Sequence, residues 1–192
     1  MFRDPNLPSE TLIIELTYDD DDVDQTTWQG IVPDGDFDES VVRQAVVAAA
    51  RSRRCLSGSI GVFLTGDRAI RRINRDHLNH DHATDVISFG YECRPPHVEG
   101  ELVVSVETAA AQARRIGRRP LNELLLYVIH GTLHITGMDD QTPEQRRRMR
   151  SAEQAVLRTI GVHEDDDFTA DRFVAFDGLG VDDRPSTRDA TG

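Results

Sequence analysis

His130-Gly131-Thr132-Leu133-His134-Ile135-Thr136-Gly137-Met138-Asp139-Asp140 follows directly on the apolar run Leu124 to Ile129. A helix returns to nearly the same azimuth about every 3.6 residues, so His130 and His134 share one face. Gly137 can take the left-handed backbone angles that end a helix and turn the chain back. Such a turn brings a carboxylate, from Asp139 or from Asp140, toward the two imidazoles. Two neutral imidazoles and one carboxylate form a ligand set for zinc with the fourth position open to water.

That spacing alone is weak, because histidines four apart also occur on helices that bind no metal. Its surroundings strengthen the metal reading. Leu121, Leu124, Leu125, Leu126, Tyr127, Val128 and Ile129 are apolar nearly all round, the pattern of a helix buried in a core. Ring nitrogens of histidines carried into such a core need partners, and a metal supplies one to each.

With 192 residues the chain can build one domain with a proper core and a tail. Residues 1–9 read as a flexible leader, 10–161 as a single domain, and 162–192 as an acidic, disordered tail. The formal net charge of -12 argues against a simple basic nucleic-acid binder and leaves room for local positive patches. The positive charge is all arginine, which suits bidentate phosphate contacts and equally follows from coding bias. Cys55 and Cys93 are too few for a disulfide framework or zinc knuckle. The sequence has no membrane-spanning apolar run and no signal peptide, so the expected location is cytoplasmic.

Strands are expected at Thr11 to Tyr18, Ser59 to Thr65, Val86 to Tyr91 and Glu99 to Ser105. The carboxylate run Asp19 to Asp22 reads as a solvated loop, and the polar segment up to Asp38 as a variable connection. Asp38 or Ser40 caps a helix to about Arg54, with Val41, Val42, Ala45, Val46 and Ala49 on its apolar face. Asp67 caps a short helix to about His77. Further helices run from Glu107 to Ile116, stopped by Gly117, and from Pro120 through the histidines. After the metal loop, Thr142-Pro143-Glu144-Gln145 fits a capping box opening a helix to about Ile160. The fold class expected is α+β, a small mixed sheet packed with helices around a central buried metal-site helix.

The histidine stretch resembles the signature of the YbeY family of bacterial rRNA-maturation endoribonucleases, His-Gly-x-Leu-His-Leu-x-Gly-x-Asp-His. His130, Gly131, Leu133, His134, Gly137 and Asp139 match it, and Asp140 stands where the family has its third histidine. A second stretch is similar to the family's Leu-Asn-x-x-Tyr-Arg-x-x-Asp-x-Pro-Thr-Asp-Val-Leu-Ser-Phe. It keeps Asn74, Asp81, Thr84, Asp85, Val86, Ser88 and Phe89, while His77 and Leu78 replace Tyr-Arg and Ala83 replaces the proline. Gly100 to Thr108 resembles a third family segment, with Glu101 for its aspartate, and Met149 and Glu153 fall on family positions too.

The resemblance spans roughly Ile60 to Gly161 and implies a metal-dependent, single-strand-specific endoribonuclease. Its expected role is maturation of the 16S rRNA 3′ end and ribosome quality control. The implied ligands are His130, His134 and Asp140, holding one zinc ion per chain or another divalent metal. Asp139 is expected to orient a ligand histidine. A carboxylate ligand neutralises one metal charge, so water bound there is less acidic than with three histidines. The sequence singles out no general base, and the implied chemistry is attack by metal-activated water on a phosphodiester. Implied partners are rRNA and the small ribosomal subunit, with neither DNA nor membrane.

The family arginine replaced by Leu78 handles substrate, and Leu78 cannot hold a phosphate. His77, His80 and His82 form a solvated histidine-rich loop on this reading. Arg114, Arg115, Arg118 and Arg119, with Arg146, Arg147, Arg148 and Arg150, can engage RNA if they flank the cleft; otherwise they are exposed residues paired with acids. Two alternatives remain: a non-catalytic ribosome-assembly factor on the same fold, and a zinc metallopeptidase. Against the latter, the position after the first histidine, where such proteases carry their base, is Gly131.

Overall fold

The computed structural model describes residues 11–19, 21–32 and 37–162. The leader expected at 1–9 and nearly all of the tail expected at 162–192 lie outside them. In chain order the elements are β1 (Leu12–Tyr18), α1 (Gln25–Ile31), α2 (Glu39–Ser52), β2 (Ser57–Thr65), α3 (Asp67–Leu78), β3 (Val86–Arg94), β4 (His97–Ser105), α4 (Val106–Ile116), α5 (Pro120–Ile135) and α6 (Pro143–Thr159). The strands form one mixed sheet in the order β1-β2-β4-β3, parallel except for the β3–β4 hairpin. The expected α+β class holds.

Side-chain alternation divides the sheet into two faces. Ile60, Val62, Leu64, Val98, Leu102 and Val104 point into the main core with α2, α4 and α5. Phe63, Ile87, Phe89 and Val103 point the other way, where Ile70 and Ile73 of α3 cover them in a smaller cluster. α5 is buried on almost every side, from Leu124 through Ile129 and at Leu133 and Ile135. Each such side chain removed from water contributes roughly 1.5–3 kcal/mol, so α5 is fixed mainly by packing. Pro120 opens it at a first-turn position where a missing N–H is tolerated.

Buried Glu123 in its first turn is matched by an ion pair with Arg118 at 2.5 Å. Burial pushes the Glu123 carboxyl up despite Arg118. Arg118 is therefore spent on the core and belongs to no exposed arginine cluster.

Three expectations are corrected. The connection before Asp38 contains α1, capped by Asp24, whose side chain accepts from the Thr27 N–H at 2.6 Å. Its seven residues include two threonines and a glycine, poor helix formers. It is held by buried Ile31 and by Trp28, packed edge-on against Tyr18 and at a tilt against Phe37. Asp22 is not solvated, its side chain being 4% exposed. Asp67 does not cap α3 but begins it, with Gly66 at the cap and no cap side chain.

The α3 N-terminus is instead satisfied from far away. Asp22 Oδ2 accepts from the Ala69 N–H at 2.9 Å, and Glu107 Oε2 accepts from the Asp67 N–H at 2.6 Å. A Cβ on Gly66 would meet both carboxylates at 2.8 Å, so glycine there makes the room. Asp67 uses its own carboxylate on the Ser105 and Thr108 hydroxyls, at 2.5 and 2.7 Å.

Candidate metal centre

α5 ends one residue after His134, at Ile135, and the ending sets the site. Gly137 has φ +86°. The Gly137 N–H bonds to the His134 carbonyl and the Met138 N–H to the Leu133 carbonyl, both at 2.9 Å. This Schellman pair satisfies two orphan carbonyls and sends the chain back along the helix. Asp140 is delivered to the histidine face, where its Oδ2 lies 3.7 Å from both the His130 and His134 Nε2 atoms. The short aspartate therefore reaches where a longer ligand would have been needed on a straighter path.

The two Nε2 atoms are 3.0 Å apart. On the other side of each ring, His130 Nδ1 lies 2.6 Å from Glu153 Oε1, and His134 Nδ1 lies 3.0 Å from the Met138 carbonyl. A carboxylate and a carbonyl only accept, so each Nδ1 carries the proton and donates it. In neutral rings both Nε2 atoms then present lone pairs to one another and to a carboxylate oxygen. Three acceptors converge there, and either a metal ion between them or a further proton on one ring resolves the clash. Nitrogens at about 2.0–2.1 Å from one tetrahedral zinc would lie roughly 3.3 Å apart, close to the spacing here. His130, His134 and Asp140 can hold a metal ion.

Glu153 of α6 comes from 23 residues away. Its side chain is 2% exposed, and its second oxygen has no hydrogen-bond partner among the described residues. A buried carboxylate so placed needs positive charge close by. Burial alone would lower the His130 pKa, but the bond and charge of Glu153, with Asp85 and Asp140, raise it above its ordinary value. Asp140 is held low by its contact with His134, against the effect of its own burial.

Asp139 does not orient a ligand histidine. Its Oδ1 accepts from the Asp140 N–H at 2.8 Å and its Oδ2 from Gln145 Nε2 at 3.4 Å, tying the loop to the start of α6. The expected capping box is present, Thr142 and Gln145 each bonding the other's backbone. Arg146 fixes the loop as well, donating to the Asp140 and Gln141 carbonyls at 3.1 and 2.8 Å. Thus Arg118 and Arg146, one from each expected RNA-binding cluster, have structural work. Glu153 was visible in the sequence only as a matched family position, because nothing local ties it to His130.

The histidines form one wall of a cleft of ≈ 330 Å³, facing Leu78, Asp85, Val86 and Ser88. Leu78 is 47% exposed at the rim. His77 packs edge-on against Phe89, and His80 stacks on His82; none of the three joins the ligand group. Glu101 faces away from α5 and accepts from the Tyr91 hydroxyl at 2.8 Å. A second grouping, Glu92, His97 and Glu99, sits at the end of the hairpin with both carboxylates exposed and Arg94 3.6 Å from Glu92.

The family model described as Endoribonuclease YbeY matches residues 23–161. The chain belongs to the YbeY endoribonuclease family. A Rhodopirellula baltica protein named Endoribonuclease YbeY is 46% identical over 158 residues, 81% of this chain and 80% of that one. A Chlorobaculum parvum protein of the same name is 42% identical over 124 residues, 65% of this chain and 87% of its own. A solution structure from Thermotoga maritima aligns at 18% identity and a TM-score of 0.49, covering 82% of this chain and 99% of that one. Within the YbeY resemblance, Leu78 departs at the cleft rim and Asp140 departs beside the two histidines.

Proposed function

We propose that this chain is a metal-dependent, single-strand-specific endoribonuclease acting in 16S rRNA 3′-end maturation and ribosome quality control. Membership of the YbeY family supports the reaction class. The observation that carries the site is the convergence of the His130 and His134 Nε2 atoms and the Asp140 carboxylate.

His130, His134 and Asp140 would hold the metal, with zinc favoured by two imidazoles and a carboxylate. When bound, the metal supplies Lewis acidity, which polarises a phosphoryl oxygen and makes water a competent nucleophile near neutral pH. Glu153 and the Met138 carbonyl hold a proton on each Nδ1, which would leave the Nε2 atoms as the ones to bind a metal. Leu78 and Val86 give the cleft apolar walls, and Asp85 adds a negative group at its edge. The partners proposed are rRNA and the small ribosomal subunit, which goes with a cytoplasmic site of action. Among the described residues no helix is long and apolar enough to cross a membrane.

A non-catalytic ribosome-assembly factor is the second reading, favoured by Leu78 at the rim where the family has arginine. A metallopeptidase is opposed by Gly131, which stands where such proteases carry their base. A Cβ there would come within 2.6 Å of the Leu102 side chain and 2.9 Å of the Val86 side chain, so a longer residue would have to displace them.

Elemental analysis of wild type and His134→Ala, followed by cleavage of a single-stranded RNA, tests the reading. Near-stoichiometric metal and RNA cleavage, both lost in the variant, support it. Metal without cleavage leaves the assembly factor, and wild type unable to bind metal overturns the enzyme reading.

A further inference from the structure

The outward face of α3 carries Arg68, Arg71, Arg72 and Arg75, all exposed. Their spacing by three and four residues puts them on one stripe. Leu78, three residues beyond Arg75, continues that stripe to the rim of the metal cleft. From Arg68 to Leu78 the helix rises about 15 Å. Four guanidinium groups line an open groove of ≈ 810 Å³ beside His82, against two carboxylates, Asp67 and Asp81.

The carboxylates position the arginines more than they neutralise them. Asp22 lies beneath Arg68, 2.6 Å from its Nε, and leaves that arginine side chain 76% exposed. Asp81 accepts from Arg71 Nε and Nη2 at 2.8 and 3.0 Å and sits 4.0 Å from Arg75 Nη1. Arg75 Nε also donates to Asp76 Oδ1 at 3.1 Å, so Arg71 and Arg75 share two carboxylates, which use only some of their donors. Arg72 has no carboxylate partner among the described residues. Asp67 is already engaged by the Ser105 and Thr108 hydroxyls. Guanidinium planes held this way lose little freedom on meeting a phosphate, whose oxygens accept their remaining N–H groups in pairs.

We propose that the arginine stripe of α3 is the track along which the phosphate backbone of single-stranded RNA reaches the metal cleft. This rests on the endoribonuclease reading and supplies, one to three turns back along the same helix, the positive charge that Leu78 lacks. Continuity with the cleft favours RNA over an acidic protein segment, because only a phosphodiester has reason to run from the stripe to the metal ligands. The chain's overall negative charge makes such a local track more necessary, since the field of the whole molecule repels the substrate.

The test is fluorescence anisotropy of a labelled oligouridine with full-length protein in chelator, so that binding is read without cleavage. Arg72→Gln and the pair Arg68→Gln/Arg72→Gln are compared with Arg158→Gln, an exposed arginine near the end of α6. Loss of two phosphate contacts should weaken binding roughly tenfold at low salt and flatten the log–log salt dependence by about 1.4. Arg158→Gln should bind as wild type does, and circular dichroism should show all variants folded. Unchanged affinity and slope in the double variant overturn the track, even if metal-loaded wild type cleaves RNA. A wild type that binds oligouridine through α3 but never cleaves it removes the nuclease reading and leaves the track. Tight binding of a polyglutamate peptide with none of oligouridine overturns the track in favour of a protein partner.

Discussion

Glu153 Oε1 lies 2.6 Å from His130 Nδ1, joining the middle of α6 to the metal face of α5 in the protein interior. Carboxylates behind ligand histidines fix the ring and raise its basicity, and their loss typically weakens metal binding by about 10–100-fold. Glu153→Gln keeps an acceptor but loses the charge, and should bind zinc about tenfold more weakly. Glu153→Ala should approach the hundredfold end of that range. Competition against a chromophoric chelator measures both, and equal zinc affinity in all three proteins would remove the role assigned to Glu153.

Metal binding should stabilise the fold by mass action. Free zinc at one hundred times its Kd adds about 2.7 kcal/mol, which raises Tm by roughly 5–10 °C in a chain of this size. His134→Ala and Asp140→Ala should show almost none of that rise. Asp139→Ala should keep most of it, because Asp139 holds the loop and not the metal. Scanning calorimetry with and without zinc distinguishes the two aspartates; an equal loss in both would refute the assignment to Asp140.

Gly137 has open space where a Cβ would go, so its substitution is a test of backbone conformation alone. Alanine at φ +86° should cost about 1 kcal/mol, and asparagine less. Since this turn delivers Asp140, Gly137→Ala should also weaken zinc binding. Urea denaturation gives the first quantity and zinc titration the second. Reduced stability with unchanged zinc affinity would mean that Asp140 reaches the histidines without this turn.

Asp22 should make stability acid-sensitive. Burial tends to raise its pKa, but hydrogen bonds from the Ala69 N–H and Arg68 outweigh this and hold it below the ordinary carboxylate value. A depressed folded-state pKa means that the stabilisation is complete above that ordinary value, about 4, and is lost as pH falls through the folded pKa. Asp22→Ala should lose about 1–2 kcal/mol at pH 7, the value of a helix cap, and should be less sensitive to acid below pH 4. Thermal melts from pH 2 to 7 check the sign, which a parallel loss at every pH would contradict.

Much of the site was encoded locally. Pro120 at the start of α5, the helical spacing of His130 and His134, the left-handed turn at Gly137 and the Thr142–Gln145 box all involve residues within one or two turns of each other. Backbone sterics and short-range hydrogen bonds decide such features, so residue type and spacing reveal them. The same holds for the strands, whose alternation sets the two faces of the sheet. What spacing left open was the choice between Asp139 and Asp140, which the Schellman turn makes by directing one carboxylate to the histidines and the other to Gln145.

Tertiary structure alone decided the long-range partners. Glu153 behind His130 and Asp22 on the α3 N-terminus close contacts across 23 and 47 residues. α1, a weak helix by composition, exists because Trp28 and Ile31 find a packed surface. Arg118 looked like surface charge until the buried Glu123 claimed it. A sequence states what a side chain can donate, accept or bury, but its partner depends on which distant segments the shared core brings within bonding distance.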